Sequence, residues 1–243
     1  MPAEADLSSI HRTMRPTLSI FVILLAAACA RPEPPDEQSA AYAPFARCTG
    51  DERRACMAQV EAREIANAGG RVQRRGQRLT IRLGNGETTA LVNDTSDSGS
   101  AKRYVYAGYL PSIRHHVVEV GYYEGSAVVL LHEQTGATTD VHGFPAVAPG
   151  GRRIATASVD LIAGYTPNHI RVWRVTDTHL QLEWGLDGGT QWGASDPVWR
   201  GPHVVTFTRH TLPSPSAGPN EVVRTPMRLD LRNGGLTVQP QDP

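Results

Sequence analysis

The sequence predicts an all-β domain built from repeated four-stranded meanders and preceded by one short α-helix. From residue 71 to the end, short runs rich in Val, Ile, Thr and aromatic residues alternate with turns of Gly, Pro, Asn and Asp. A helical pattern covers residues 51–68, and Gly69-Gly70 ends it. The 23 glycines and 18 prolines are typical of a turn-rich β protein.

The charged residues balance, with 24 basic and 24 acidic side chains. A protein without bulk charge has no long-range field that would steer it onto nucleic acid. We therefore expect no nucleic-acid partner.

Residues 1–28 have the features of a signal peptide. Arg12 and Arg15 form a basic region, and residues 18–25 (LSIFVILL) form an apolar run that is too short to span a bilayer as a stable helix. Met14 is an alternative start of the chain, because the residues before it are polar and unlike a signal peptide.

The run Ala26-Ala27-Ala28-Cys29 resembles the lipobox of bacterial lipoproteins, with Ala26 where that motif most often has Leu. The resemblance implies cleavage before Cys29 and acylation of this cysteine, and Ala30 in the next position implies sorting to the outer membrane. Several acyl chains would hold the protein in the lipid bilayer far more firmly than a single chain. Ordinary signal cleavage after Ala30 is the alternative.

Residues 29–47 are rich in Pro and polar residues and form a tether, because such a composition cannot bury a core. The next segment, residues 48–70, contains the helix and two cysteines. Cys48 and Cys56 are eight positions apart and are predicted to form a disulfide in an oxidising compartment, with two free thiols as the alternative.

The helix is expected to pack on the edge of the sheet. Thr49 or Asp51 is in position to cap its N-terminus. Its basic residues Arg53, Arg54 and Arg63 are expected to be solvated charges.

The β region, residues 71–243, divides into a leading hairpin and three units of four strands. The hairpin covers residues 78–93, and the units cover residues 104–141, 144–184 and 197–239. The second strands of the units begin about 40 to 50 residues apart, which is the spacing of propeller blades. The predicted fold class is therefore propeller-like, as a partial or small propeller.

Residues 144–158 (FPAVAPGGRRIATAS) resemble the F-S-P-D-G-x-x-I-A-F blade motif of TolB-like and WD40-like β-propellers, and residues 196–208 repeat it in weaker form. Gly150 replaces the acidic residue in the turn of that motif. Three units and a hairpin are fewer than the usual number of about four to eight blades. The sequence fits three arrangements: a compact ring of four units, an open propeller-like stack and a sandwich of meanders. The resemblance implies a binding platform by analogy.

No catalytic, cofactor or metal site is predicted. The sequence has no G-x-S-x-G nucleophile motif and no glycine-rich phosphate loop. His115 and His116 are adjacent in a strand and should point to opposite faces, while Asp140 and His142 form a fragment of two ligands without a third. Three further histidines open or close strands and are expected to meet water: His169, His203 and His210.

The preferred contact surface is the loop between the second and third strands of the central unit. It is long for a β connection, and long loops on rigid β scaffolds often carry binding sites. The predicted partner-binding residues are Asp160, Tyr165, Asn168 and His169. Most other aromatic side chains are expected in the core.

These features predict a lipid-anchored envelope protein of a Gram-negative bacterium that faces the periplasm. It would act as a non-catalytic protein-binding or assembly module whose partners are other envelope proteins. The alternative is a hydrolase or ligand-sensing domain that acts on envelope glycans or peptides, and a domain that only spaces a complex is a third hypothesis. His, Asp or Ser side chains that converge in a pocket would favour the hydrolase, and an aromatic loop surface would favour the binding module.

Overall fold

A computed structural model describes residues 45, 48, 50–96, 99, 101–214, 218–232 and 237–240. The predicted signal peptide, the acylation site Cys29 and all of the tether except Phe45 lie outside these residues. Among the helices that the structure describes, none is long and apolar enough to cross a membrane.

The described chain is mostly β, with four antiparallel sheets that follow helix α1 in sequence order, and this confirms the predicted fold class. Helix α1 spans Arg53–Asn67, and a single 3-10 turn spans Pro219–Glu221. Sheet 1 consists of β1 (Val72–Arg75), β2 (Arg78–Arg82) and β3 (Thr88–Val92). Sheet 2 consists of β4 (Arg103–Leu110), β5 (His115–Gly121), β6 (Ser126–His132) and β7 (Thr138–Asp140). Sheet 3 consists of β8 (Ala146–Val147), β9 (Arg153–Ser158), β10 (His169–Val175) and β11 (Leu180–Asp187). Sheet 4 consists of β12 (Trp192–Trp199), β13 (Val204–Thr211), β14 (Val223–Asp230) and β15 (Thr237–Pro240).

Three buried apolar clusters join the sheets face to face in sequence order. Sheets 2 and 3 are therefore covered on both faces, which explains why their central strands are apolar on both faces. Each fully buried Leu or Ile contributes on the order of 1.5–3 kcal/mol to folding. The clusters include Leu79, Ile81, Val118 and Leu131 between sheets 1 and 2; Val117, Leu130, Ile154 and Trp173 between sheets 2 and 3; and Ala155, Ile170, Val205 and Phe207 between sheets 3 and 4.

The four sheets form an open, propeller-like stack and do not close into a ring within the described residues. In β14 of the last sheet, Met227 and Leu229 are buried, whereas Arg228 between them is only partly buried and Pro226 before them is exposed. This alternation is typical of a sheet with one covered face. Of the arrangements that the sequence left open, the structure has the open stack.

Helix α1 covers the free edge of β4, which is the first strand of sheet 2. The Glu61 carboxylate accepts a hydrogen bond from the backbone N–H of Tyr106 at 2.8 Å, and it also pairs with the guanidinium of Arg74. Arg74 in turn donates to the backbone carbonyl of Tyr104. The pair therefore satisfies backbone groups of an edge strand that would otherwise be buried without partners.

The predicted disulfide is present and joins Cys48 to Cys56, with a Cα–Cα distance of 5.4 Å. Cys48 is buried with Phe45 in the cluster that lies between sheets 2 and 3. Closing a loop of this length stabilises the fold by about 2–3 kcal/mol in the chain-entropy model. The disulfide thus fixes the entry of the chain against the first turn of α1.

Two expectations for the helix are wrong. The N-cap position is occupied by Glu52, which makes no side-chain capping bond, so Asp51 is not the cap residue, and Thr49 lies outside the described residues. Arg53 is not simply solvated, because its guanidinium lies 2.6 Å from the buried carboxylate of Glu119 on β5. Tertiary contact with sheet 2 replaces local capping at this end of the helix.

Two strands differ from the sequence prediction. The prediction from the sequence did not include β1, because the polar residues of this strand do not show a strand pattern. The first strand of the last unit was predicted to begin at Pro197, whereas β12 begins at Trp192. The register of β12 against β13 shifts between Ser195 and Val198, so a β-bulge accommodates Asp196 and Pro197, which are residues typical of turns.

Replacing Glu61 with Ala should lower the free energy of unfolding by about 2–4 kcal/mol, because the Arg74 guanidinium and the Tyr106 N–H would both lose an acceptor. Urea unfolding followed by circular dichroism measures this change. The matched control is Arg63→Ala on the same helix, whose pair with Glu64 is more exposed and should contribute less than about 1 kcal/mol. Equal losses in the two variants would contradict the role of Glu61.

Candidate functional site

Three connections meet at one end of sheets 2, 3 and 4. They are residues 122–125 after β5, residues 159–168 after β9 and residues 188–191 after β11. The first two are in direct contact, because a Cβ atom on Gly125 would lie 3.1 Å from Cβ of Tyr165. We call the surface formed by these three connections the loop face.

The Asp160 carboxylate organises the longest of these connections. It accepts hydrogen bonds from four successive backbone N–H groups, with donor–acceptor distances between 2.7 and 3.1 Å. Burial raises the pKa of Asp160, but the backbone hydrogen bonds outweigh burial and hold the pKa below its ordinary value. The loop is therefore held by internal hydrogen bonds to a charged group. The four donors belong to Ala163, Gly164, Tyr165 and Thr166.

Asn168 fixes the base of the same loop. Its side-chain oxygen accepts from the backbone N–H of Asp160, and its side-chain nitrogen donates to the carbonyls of Asp160 at 3.1 Å and Gly189 at 2.8 Å. Its backbone carbonyl accepts from the N–H of Gly188 at 2.8 Å. Because Asn168 is buried, these bonds join two connections of the loop face without competition from water.

Large apolar side chains are exposed on the loop face above this framework. Tyr123 is 73% exposed, Ile162 is 56% exposed and Tyr165 is 54% exposed. A hydrogen bond between the Tyr165 hydroxyl and the Glu124 carboxylate raises the pKa of Tyr165 and links two of the connections. Three exposed apolar groups on braced loops form a surface that is suited to contact with another molecule.

A depression of about 540 Å³ lies between the loop of residues 160–168 and the connection after β11. Its wall includes the ion pair of Arg171 and Asp187, with 2.8 Å between the guanidinium nitrogen and the carboxylate oxygen. The depression is large enough to receive one or two side chains of a partner.

The four predicted binding residues have different places in the structure. Tyr165 lies on the exposed surface, while Asp160 and Asn168 support the loop from within. His169 is fully buried, so the prediction that it contacts a partner is wrong, and so is the expectation that it meets water. His169 is the first residue of β10, and its side chain is covered because the sheets are stacked on one another. The sequence pattern of a single strand does not show this cover.

Sequence analysis missed Tyr123 and Ile162. The tyrosines of the first unit were expected mainly in the core, and Tyr106 is indeed fully buried there, whereas Tyr123 occupies the β5–β6 turn and is exposed. The turn residues Glu124 and Gly125 that follow Tyr123 were the available signal, because an aromatic residue beside a tight turn has no neighbouring strand to cover it.

The histidines at the opposite end of sheet 2 belong to the core. As predicted, His115 and His116 diverge: the ring of His115 packs against His132 at 5.0 Å, and Nδ1 of His116 lies 3.0 Å from the hydroxyl of Tyr106. Burial lowers the pKa of His115 and of His116 to about 4, so both are neutral at physiological pH. Among the described residues, no group of three or more His, Cys, Asp or Glu side chains is placed to hold a metal ion.

A serine and a histidine that sequence analysis did not connect meet on sheet 4. The hydroxyl of Ser195 lies 2.7 Å from Nε2 of His210 and 2.6 Å from the carboxylate of Asp196. Asp196 has a φ of 53°, a left-handed conformation that the β-bulge of β12 imposes on it. The contact arises from strand register, which explains why no sequence motif indicated it.

This arrangement differs from that of a catalytic triad. In a triad, the serine hydroxyl donates to the histidine, and the acid bonds the second ring nitrogen and orients the ring. Here the Ser195 hydroxyl donates its proton to the Asp196 carboxylate, so Nε2 of His210 bonds the hydroxyl oxygen as a donor and does not accept the serine proton. Burial lowers the pKa of His210 and favours its neutral ring, but the bond to Asp196 directs the Ser195 proton away from that ring.

No protein-family model and no curated protein matches the chain. Among solved structures, the chain is similar to a puromycin-hydrolyzing peptidase of Mycobacterium tuberculosis, with a TM-score of 0.38 and 14% sequence identity. The match covers 71% of this chain and 30% of the peptidase chain, so this chain spans less than a third of that protein. A similarity at this level transfers no activity.

Replacing Asp160 with Ala should release the loop of residues 160–168, because four backbone N–H groups would lose their shared acceptor. We expect faster cleavage within this loop in limited proteolysis, with little change in the cleavage of other segments. The control is Asp177→Ala in the exposed turn between β10 and β11, which should leave loop cleavage unchanged. A loop that stays resistant in the Asp160 variant would show that the carboxylate does not organise it.

Proposed function

We propose that this chain is a lipid-anchored envelope protein that faces the periplasm and acts as a non-catalytic protein-binding or assembly module. The observation that carries the proposal is the exposure of Tyr123, Ile162 and Tyr165 on loops that are braced by hydrogen bonds. In this proposal the loop face binds an exposed segment of another envelope protein.

The composition of the loop face supports a protein partner. Tyrosine contributes a large contact area at low cost in conformational entropy, and it is frequent at the energetic centres of protein interfaces. Polar and charged groups surround the apolar ones, including Glu124 and the pair of Arg171 and Asp187. An apolar centre with a polar rim is the usual arrangement of a protein–protein interface.

The bracing of the loop supports binding rather than simple connection of strands. Ordering a loop on binding opposes association, so a loop that is already ordered binds more tightly. The hydrogen bonds of Asp160 and Asn168 provide this order before any partner arrives. The buried Asn168 and the four backbone donors to Asp160 hold the loop in one arrangement.

The anchoring part of the proposal rests on the sequence. Acylation of Cys29 would attach the chain to the bilayer, and the Pro-rich tether of residues 29–47 would separate the folded domain from it. A binding module on a tether can reach partners within the envelope while its own position is restricted to the membrane surface.

The test is capture of the full-length, acylated protein from cross-linked envelopes, with Tyr165→Ala and Ile162→Ser beside the unchanged protein. We expect one partner in near-equal amount with the unchanged protein and at least about tenfold less with the double variant, because two apolar anchors of an interface are worth about 2 kcal/mol or more together.

The matched control is Leu182→Ser, which removes a half-exposed leucine from the outer strand β11 outside the loop face. Its partner recovery should equal that of the unchanged protein. Equal recovery with the double variant would place the binding surface elsewhere, and absence of any partner beyond those of an unrelated lipoprotein would contradict the binding function.

A hydrolase is the second candidate, and the contact between Ser195 and His210 is the observation that favours it. A fluorophosphonate probe reacts with activated serines and therefore tests this candidate directly. Because Asp196 competes for the hydroxyl proton, we expect no labelling of Ser195 at neutral pH. Labelling that disappears in both Ser195→Ala and His210→Gln would establish a serine hydrolase and overturn the non-catalytic proposal.

A further inference from the structure

Two histidines lie directly beneath the loop face. His169 opens β10 and is fully buried, with 0% of its surface exposed. His142 lies between β7 and β8, and its ring centre is 6.1 Å from that of His169 in an edge-to-face contact. His142 also has a φ of 49°, an uncommon left-handed conformation for a residue with a side chain.

The two rings have few hydrogen-bond partners. Within the described residues, neither ring nitrogen of His169 and not Nδ1 of His142 has a hydrogen-bond partner of good geometry. The backbone carbonyl of Val141 raises the pKa of His169, but the larger effect of burial outweighs it. A buried polar ring without partners is tolerated as a neutral group but is strongly disfavoured as a cation.

The charged groups around the two rings do not offset the cost of burying a protonated histidine. Burial and then the Arg171 guanidinium lower the pKa of His169 to about 4, while the Asp187 carboxylate acts in the opposite direction as the smallest of the contributions. Burial lowers the pKa of His142 as well, with Asp140 acting in the opposite direction and Arg171 in the same direction. Protonation of either ring would also place its charge beside the other ring.

His169 is connected to the loop face through the chain itself. It directly follows Asn168, whose hydrogen bonds hold Asp160, Gly188 and Gly189 together. A displacement of the His169 ring toward water must move Asn168, and this would break the bonds that join two connections of the loop face.

We propose that His169, in contact with His142, is a pH-sensitive switch that keeps the loop face ordered when neutral and releases residues 160–168 when protonated. If the loop face binds a partner as proposed above, acid would release that partner. The switch itself is a property of this chain and can be tested without any partner.

The sign of the effect follows from linkage. In the closed state the His169 ring resists protonation, and in an open state its pKa would return toward about 6.5. The open state therefore binds more protons between about pH 6.5 and pH 4, so the ratio of open to closed molecules rises by up to about tenfold for each pH unit that is lost in this range. Above about pH 6.5 the ratio should not depend on pH through this group.

Hydrogen exchange of the intact chain at pH 7.5 and pH 5, corrected for the pH dependence of intrinsic exchange, tests the proposal. The amides of residues 163–166 and of Gly188 report the closed loop, because their acceptors are Asp160 and Asn168. We expect their protection to fall by about 10- to 30-fold at pH 5. Amides in the centre of β6, such as that of Leu130, exchange on global unfolding. They measure the general effect of acid on stability, to which buried His115 and His116 contribute by the same linkage.

His169→Gln should abolish this pH dependence, because the glutamine side chain does not titrate. The matched control is His132→Gln, which replaces a buried histidine at the opposite end of sheet 2 and should leave the pH dependence of the loop intact. If His169→Gln does not fold, NMR titration of the His169 ring in the unchanged protein replaces it, and the pH at which the ring titrates must coincide with loop opening.

Two results would overturn the proposal. Loop amides that are as strongly protected as those of β6 at both pH values would show that the loop opens only by global unfolding, without a local switch. Unchanged pH dependence in His169→Gln, or ring titration that is not accompanied by loop opening, would show that His169 does not control the loop. Either result leaves the partner-capture experiment unaffected, so failure of the switch and failure of the binding function can be told apart.

Discussion

The covering of both faces of sheets 2 and 3 is the constraint on which the rest of the structure depends. Their central strands are apolar on both sides, so neither sheet is stable with one face in water. Sheet 1 and sheet 4 supply the outer covers, and sheets 2 and 3 cover each other. The free edge of β4 also needs partners for its backbone groups, and Glu61 of helix α1 and Arg74 of β1 provide them. Four sheets and one helix are thus enough for a stable propeller-like stack without ring closure.

The loop face is a consequence of this stack. Apolar packing holds the strands in place. The connections at the strand ends lie outside this packing, so their order depends on polar contacts. Asp160 and Asn168 provide it through hydrogen bonds to the backbone, and the strand framework holds these two residues in place. The exposed side chains of Tyr123, Ile162 and Tyr165 are therefore presented in a defined arrangement. Such preorganisation is what a binding surface requires, and it is the physical basis of the proposed function.

The buried histidines show how the same core excludes charge. His115, His116 and His169 each have a pKa of about 4, with desolvation as the main cause. At neutral pH they are compatible with an apolar interior, and the nearby hydroxyl of Tyr106 provides His116 with a partner. His169 has no comparable partner, and its position next to Asn168 connects its protonation to the loop face. This difference distinguishes a histidine that only fills the core from one that can report pH.

The sequence by itself determined most of the secondary structure, apart from β1 and the start of β12, together with the repeat and the position of the long loop. Alternation of apolar residues, turn residues at regular offsets and the length of the connection after β9 are local properties, so they could be recognised without coordinates. The disulfide between Cys48 and Cys56 was also within reach, because the two residues are close in sequence. Only the tertiary structure decided that the stack is open, that His169 is buried and that Tyr123 joins Tyr165 on one surface. The tertiary structure also decided two further contacts, that of Ser195 with His210 and that of Glu61 with the edge of β4. These features depend on strand register and on contacts between residues far apart in the chain, and no local pattern encodes which distant neighbour a side chain will meet.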